Sequence, residues 1–108
     1  MQLSWLAGKA VSTSSIETIA DGIGVRVPVP EAVAEMRNAV DDVMLVTDEE
    51  LIAAMRMLRE DAGLLIEPAG AAGVAAVVKR RTDLAGKRVA VVLTGGNITE
   101  DQIRQWLS

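Results

Sequence analysis

The residues best suited to chemistry lie at the end of an apolar run. Val89-Ala90-Val91-Val92-Leu93 leads directly into Thr94-Gly95-Gly96-Asn97. A threonine hydroxyl and an asparagine amide can each donate and accept hydrogen bonds. The two glycines between them let the backbone turn sharply and approach a neighbour closely. In open α/β sheets, ligands bind beyond the carboxyl ends of strands, which is where this turn would fall. The same four residues also suit an ordinary strand-to-helix turn.

Glu67 is the second candidate. It stands between the apolar Leu64-Leu65-Ile66 and a Gly-rich stretch that begins at Pro68. A carboxylate there is either an N-cap or a site residue. Asp21-Gly22, inside Thr18-Ile19-Ala20-Asp21-Gly22, marks a turn. The remaining carboxylate clusters, Asp41-Asp42, Asp48-Glu49-Glu50 and Glu100-Asp101, read as helix-end residues favoured by the dipole or by solvent. Gly70-Ala71-Ala72-Gly73 lacks the Lys-Ser/Thr ending of a phosphate loop and the glycine spacing of a dinucleotide fingerprint. No catalytic apparatus is complete. The chain has no His, which removes the commonest general base and the Ser-His-Asp triad. It has no Cys, which removes disulfides, thiolate metal sites and a cysteine nucleophile.

These residues must be positioned by a small set of elements. Residues 1–15 are small and polar after a short apolar start, with Ser12-Thr13-Ser14-Ser15 reading as loop and Trp5 as a packing residue. Pro30 suits the first turn of a helix, with Ala32, Val33, Met36 and Val40 at helical spacing and an end near Asp41-Asp42. Val43-Met44-Leu45-Val46 reads as a short buried strand. Thr47 and Glu50 have capping-box spacing, Leu51, Met55, Leu58 and Ala62 form one stripe, and Gly63 is a natural C-cap. Leu64-Leu65-Ile66 is a short apolar piece. The stretch 68–78 is apolar nearly all round and carries two glycines, each costing roughly 1 kcal/mol relative to Ala in a helix. That cost implies backbone packed against backbone or ligand. Gly86 marks a turn, and Thr99 with Gln102 opens a final helix with Ile103, Trp106 and Leu107 inward.

The chain has 108 residues and a net charge of -4, enough for one small domain. Half of it is apolar, with two Trp and no Phe or Tyr, a mix that favours helices on a sheet over a β-sandwich. The expected fold is therefore α/β: a partial three-layer open sheet, largely parallel, with helices packed on it. The basic residues are scattered apart from Lys79-Arg80-Arg81, which suits a helix C-terminus, so no nucleic-acid partner is expected. The start is a poor signal peptide. The stretch 68–78 is about half the ~20 residues that span a bilayer. No membrane partner is expected, and the expected location is cytoplasmic.

Taken together, Thr18-Ile19-Ala20-Asp21-Gly22, Asp41 to Glu50, Ile66-Glu67-Pro68-Ala69-Gly70-Ala71-Ala72 and Val91-Val92-Leu93-Thr94-Gly95-Gly96-Asn97 occur in an informative order. This resembles the carboxyl-terminal part of the catalytic domain of threonine dehydratase and serine racemase-like enzymes. Those are pyridoxal-phosphate enzymes of the tryptophan synthase β fold type. The likeness runs from about Thr13 to the end, as a single partial domain over 1–108.

The resemblance implies pyridoxal phosphate as cofactor. It implies that Thr94 matches the hydroxyl residue that hydrogen-bonds the pyridine nitrogen. By the same likeness, Gly95 and Gly96 pass beside the ring with Asn97 at the turn, Asp21 and Gly22 line the pocket, and Glu67 is a nearby carboxylate. In that family the Schiff-base lysine, the phosphate loop and the cation-binding carboxylates lie upstream of these motifs. Lys9, Lys79 and Lys87 have no matching context. The expectation is a fragment that supplies one wall of the cofactor site of a threonine or serine ammonia-lyase, inactive alone. The alternative is a non-catalytic interaction or oligomerisation module. The expected partner is a second copy of the chain or a missing amino-terminal half.

Overall fold

Five helices carry the chain in the computed structural model, which describes all of residues 1–108. They are α1 (Gln2–Ala7), α2 (Pro30–Ala39), α3 (Asp48–Ala62), α4 (Pro68–Lys79) and α5 (Glu100–Leu107), with one 3-10 turn at Asp21–Ile23. Contacts divide the chain into two compact units. One comprises Met1–Thr18 with Ile23–Leu45, the other Ile19–Gly22 with Val46–Ser108.

In the first unit α1 packs on α2. The short apolar start before the Ser12–Ser15 loop holds this one-and-a-half-turn helix. It has no side-chain cap at its start. It is tied down by buried Ser4, whose hydroxyl accepts a hydrogen bond from the Val11 N–H at 2.9 Å. Trp5 is half-buried, and its indole N–H is enclosed without an acceptor. In α2, Pro30 sits in the first turn as its fixed φ allows, and Val33 is buried.

The second unit is built on α3. The Thr47 hydroxyl accepts from the Glu50 N–H at 3.2 Å, and the Glu50 carboxylate accepts from the Thr47 N–H at 2.8 Å. This reciprocal pair satisfies two otherwise orphaned donors. Gly63 ends the helix at φ 67°, a left-handed conformation that costs a residue with a Cβ. The apolar stripe places Leu51, Ala54 and Met55 in a core with Ala20, Ala71, Ala75 and Leu107. Both α4 and α5 pack on α3. A second capping box, Thr99 with Gln102, opens α5. Its far end is held by α3, where Arg56 Nε donates to the Trp106 carbonyl at 2.7 Å and Arg59 to the Leu107 carbonyl at 2.9 Å.

Glu50 also accepts from Lys79 Nζ at 3.0 Å, which joins α3 to the last turn of α4. The Thr47 amide, then the Lys79 ammonium, hold the Glu50 carboxyl below its ordinary pKa. A depressed folded value means stability that is present above the unfolded value, about 4.3 for Glu, and is lost as pH falls through the folded one. Glu50→Gln keeps a capping-box side chain but removes the charge. Urea unfolding should find the variant less stable at pH 7, with the difference narrowing as pH falls below the unfolded value and through the lowered folded one. An equal difference at neutral and acid pH would assign it to packing instead.

The expected α/β architecture is not formed. About half of the chain is helical, and no strand or sheet is present, parallel or otherwise. Residues 43–46, 64–66 and 89–93 are non-helical, but no hydrogen-bond ladder joins them. A parallel pair depends on evenly spaced backbone bonds and is weak without flanking strands. Here a single backbone–backbone bond, Glu67 N–H to the Gly95 carbonyl at 3.1 Å, links the region after Ile66 to the turn after Leu93. Apolar side chains on these segments stay open: Val92 is 80% exposed and Leu45 64%. No helix is long and apolar enough to cross a membrane.

Candidate functional site

Two glycines on α4 bring the Thr94–Asn97 turn against the helix. A Cβ on Gly70 would meet Ile66 Cγ2 at 2.8 Å and the Gly95 carbonyl oxygen at 3.0 Å. A Cβ on Gly73 would meet Val91 Cγ1 at 2.5 Å. Helix α4 thus accepts two residues of poor helix propensity so that segment 91–95 can lie on its backbone. The packing that the sequence implied for these glycines is therefore met by protein.

Glu67 occupies the N-cap position of α4, and its side chain makes no cap bond. It reaches instead to the turn, where Oε2 accepts from the Asn97 N–H at 3.0 Å. Its own N–H donates to the Gly95 carbonyl. One residue therefore grips the turn at both ends. The glycines of the turn answer to this grip. A Cβ on Gly95 would lie 2.9 Å from Glu67 Oε1, and a Cβ on Gly96 would lie 2.6 Å from the Leu65 carbonyl oxygen. Their bare sides face Glu67 and Leu65.

Thr94 is exposed at the head of the turn, and its hydroxyl makes no hydrogen bond within the chain. Asp21 and Gly22 are held nearby through the start of α3. Asp48 accepts from the Ile19 N–H at 3.2 Å, which fixes the motif that contains them. A Cβ on Gly22 would lie 3.2 Å from the Ala69 Cβ, so this turn packs on α4 as well.

Asp21, Gly22, Glu67 and Asn97 come together around one open recess of about 410 Å³, completed by Ile19, Pro68, Thr99 and Gln102. Thr94, Gly95 and Gly96 belong to the adjoining turn and do not line it. Thr99 and Gln102 were legible in the sequence only as capping residues. Nothing in the sequence pointed to Asp48 as the tether of Ile19, because the two are 29 positions apart. A second recess, about 380 Å³, lies between α3 and α4 and contains none of the expected residues.

The turn offers a neutral hydroxyl on exposed backbone, and the adjacent carboxylate is already committed to Asn97. That leaves the Thr94 hydroxyl as an uncharged group able to donate or accept a hydrogen bond. An anionic group would find little here. Lys79 is paired with Glu50 at the other end of α4.

The pyridoxal-phosphate dependent enzyme family model matches residues 1–95. The chain is 47% identical over 92 residues to an L-threonine ammonia-lyase of Geobacter sulfurreducens, covering 84% of this chain and 23% of that protein. It is 40% identical over 96 residues to the L-threonine ammonia-lyase of Thermotoga maritima, covering 89% and 24%. Among solved structures, a T.th. threonine deaminase superposes with a TM-score of 0.83 at 29% identity, over 91% of this chain and 36% of that one. Maize serine racemase superposes with a TM-score of 0.80 at 30% identity, over 96% and 34%. The chain thus spans about a quarter of the length of these two curated relatives. It belongs to the pyridoxal-phosphate dependent enzymes, a membership that makes pyridoxal phosphate its cofactor.

Proposed function

We propose that these residues furnish one wall of the cofactor site of a threonine or serine ammonia-lyase, and that the 108-residue chain does not turn over substrate alone. The observation that carries the reading is the free Thr94 hydroxyl on a turn braced by Glu67 and Gly70. Similarity to two L-threonine ammonia-lyases supports the reaction class. When bound, pyridoxal phosphate supplies an electron sink for removal of the substrate's α-proton and β-hydroxyl, leading to a 2-oxo acid and ammonia. Thr94 would hold the pyridine edge. As a neutral partner it does not keep the ring nitrogen protonated. Racemisation is the neighbouring activity, supported by the likeness to maize serine racemase.

Association belongs to the same reading. Exposed Val89, Val92, Leu64 and Leu65 form apolar surface of the kind that drives it. The proposed partner is a polypeptide supplying the amino-terminal part of the site, with a second copy of this chain as the alternative.

One sample tests the proposal. The purified chain is mixed with pyridoxal phosphate, reduced with borohydride, and examined by mass spectrometry, sedimentation and 2-oxo acid assay with threonine. The expected result is weak reversible cofactor binding that Thr94→Ala lowers, no specific lysine label, no 2-oxo acid, and sedimentation above the monomer at micromolar concentration. Specific labelling of Lys9, Lys79 or Lys87 with turnover would overturn the inactive-wall reading. A clean monomer would overturn the association.

A further inference from the structure

We propose that Glu67 is a positioning residue whose carboxylate clamps the Thr94–Asn97 turn and thereby fixes the backbone position from which Thr94 presents its hydroxyl. This rests on the reading of Thr94 as a cofactor contact, but the clamp itself stands on geometry. The N-cap position of α4 is filled by the Glu67 backbone, with no side-chain bond to the helix. The carboxylate makes its hydrogen bond 30 residues away, on the Asn97 N–H at 3.0 Å. The Glu67 N–H holds the Gly95 carbonyl at 3.1 Å.

Two attachments from one residue on either side of Gly96 leave the turn little freedom to rotate. The Leu65 carbonyl closes the third side, where no Cβ fits on Gly96. Thr94 is the residue immediately before the clamped segment. Its hydroxyl has no bond of its own, and the backbone that Glu67 holds fixes the Cα–Cβ bond from which it projects. A charge-assisted acceptor on a backbone N–H is among the stronger hydrogen bonds available to a turn. Glu67 therefore acts through Thr94 and does not itself contact the cofactor.

Amide hydrogen exchange on the full 108-residue chain reads the clamp without any ligand. Glu67→Ala should speed exchange of the Asn97 amide roughly tenfold, the scale of one charge-assisted hydrogen bond. The α4 amides should keep their rates, since no cap bond is lost. Glu67→Gln should recover most of the protection, because its amide oxygen can accept the same bond. An unchanged Asn97 rate in Glu67→Ala would overturn the clamp. A uniform loss along α4 would assign Glu67 a helix-stabilising role and also overturn it.

Pyridoxal phosphate titration of the wild type, Glu67→Ala, Thr94→Ala and the double variant then reads the positioning. Each single change should weaken binding several-fold, and the double variant should bind no worse than Thr94→Ala alone. Additive losses would mean direct contact by Glu67 and would overturn the positioning role. If the wild type binds no cofactor while Asn97 loses protection in Glu67→Ala, the clamp is upheld and only the cofactor-wall reading falls.

Discussion

Replacing Met55 with Ala should lower the stability of the second unit by about 2–5 kcal/mol. Met55 is fully buried, 0% exposed, in the middle of α3. The core it joins is made largely of Ala20, Ala54, Ala71 and Ala75. Alanine side chains cannot reach across a void, so the cavity left by the thioether stays open. A chain of this size has total stability of about 5–15 kcal/mol, and the loss would consume much of it. At about 4–8 °C per kcal/mol for a domain near 100 residues, the thermal midpoint should fall by roughly 8–40 °C. Met55→Leu, close in volume, should cost less than about 1.5 kcal/mol. Circular dichroism melts of the three proteins decide the matter. Equal melts for Met55→Ala and the wild type would mean that this core does not hold the unit together.

The second large effect should come from Gly96→Ala. The new methyl would stand 2.6 Å from the Leu65 carbonyl oxygen. That atom is backbone, so no rotamer change relieves the clash. Either residues 64–66 or the turn must move. The movement would stretch both bonds from Glu67, to the Gly95 carbonyl and from the Asn97 N–H. A cost of about 1–3 kcal/mol is expected, in the range for forced overpacking. The amide resonances of residues 94–98 should shift, and the Thr94-dependent part of pyridoxal phosphate binding should disappear. Gly63→Ala separates crowding from backbone strain, since no atom lies within 4 Å of its added Cβ and only the positive φ is penalised. Unmoved resonances at 94–98 in Gly96→Ala would refute the crowding argument.

What could be read in advance was chemistry carried by a few neighbouring residues. Both capping boxes, at Thr47 and Thr99, formed as their spacing required. Gly63 took the left-handed C-cap, and Leu107 went inward. The glycines of α4 were legible through their cost, which implied a close approach that Gly95 and Val91 supply. Pairing over long separations was not legible. Apolar runs at 43–46, 64–66 and 89–93 suggested a sheet, but a ladder is a property of two chains of donors and acceptors in register, and no run contains its partner. Glu67 shows the same limit at one residue. Its place before Pro68 favoured an N-cap, and only the fold reveals that Asn97 lies within its reach. Helix α1 was not legible because six residues with no side-chain cap carry little local signal.

The two tryptophans have a consequence for spectroscopy. Trp5 belongs to the first compact unit and Trp106 to the second. Their surroundings differ: the Trp5 indole N–H is enclosed without an acceptor, whereas Trp106 is partly buried against the core of the second unit. With no tyrosine in the chain, ultraviolet emission comes from these two rings alone. Each single-tryptophan variant is thus a native optical label for one unit, and comparing their unfolding curves measures the cooperativity between the units directly.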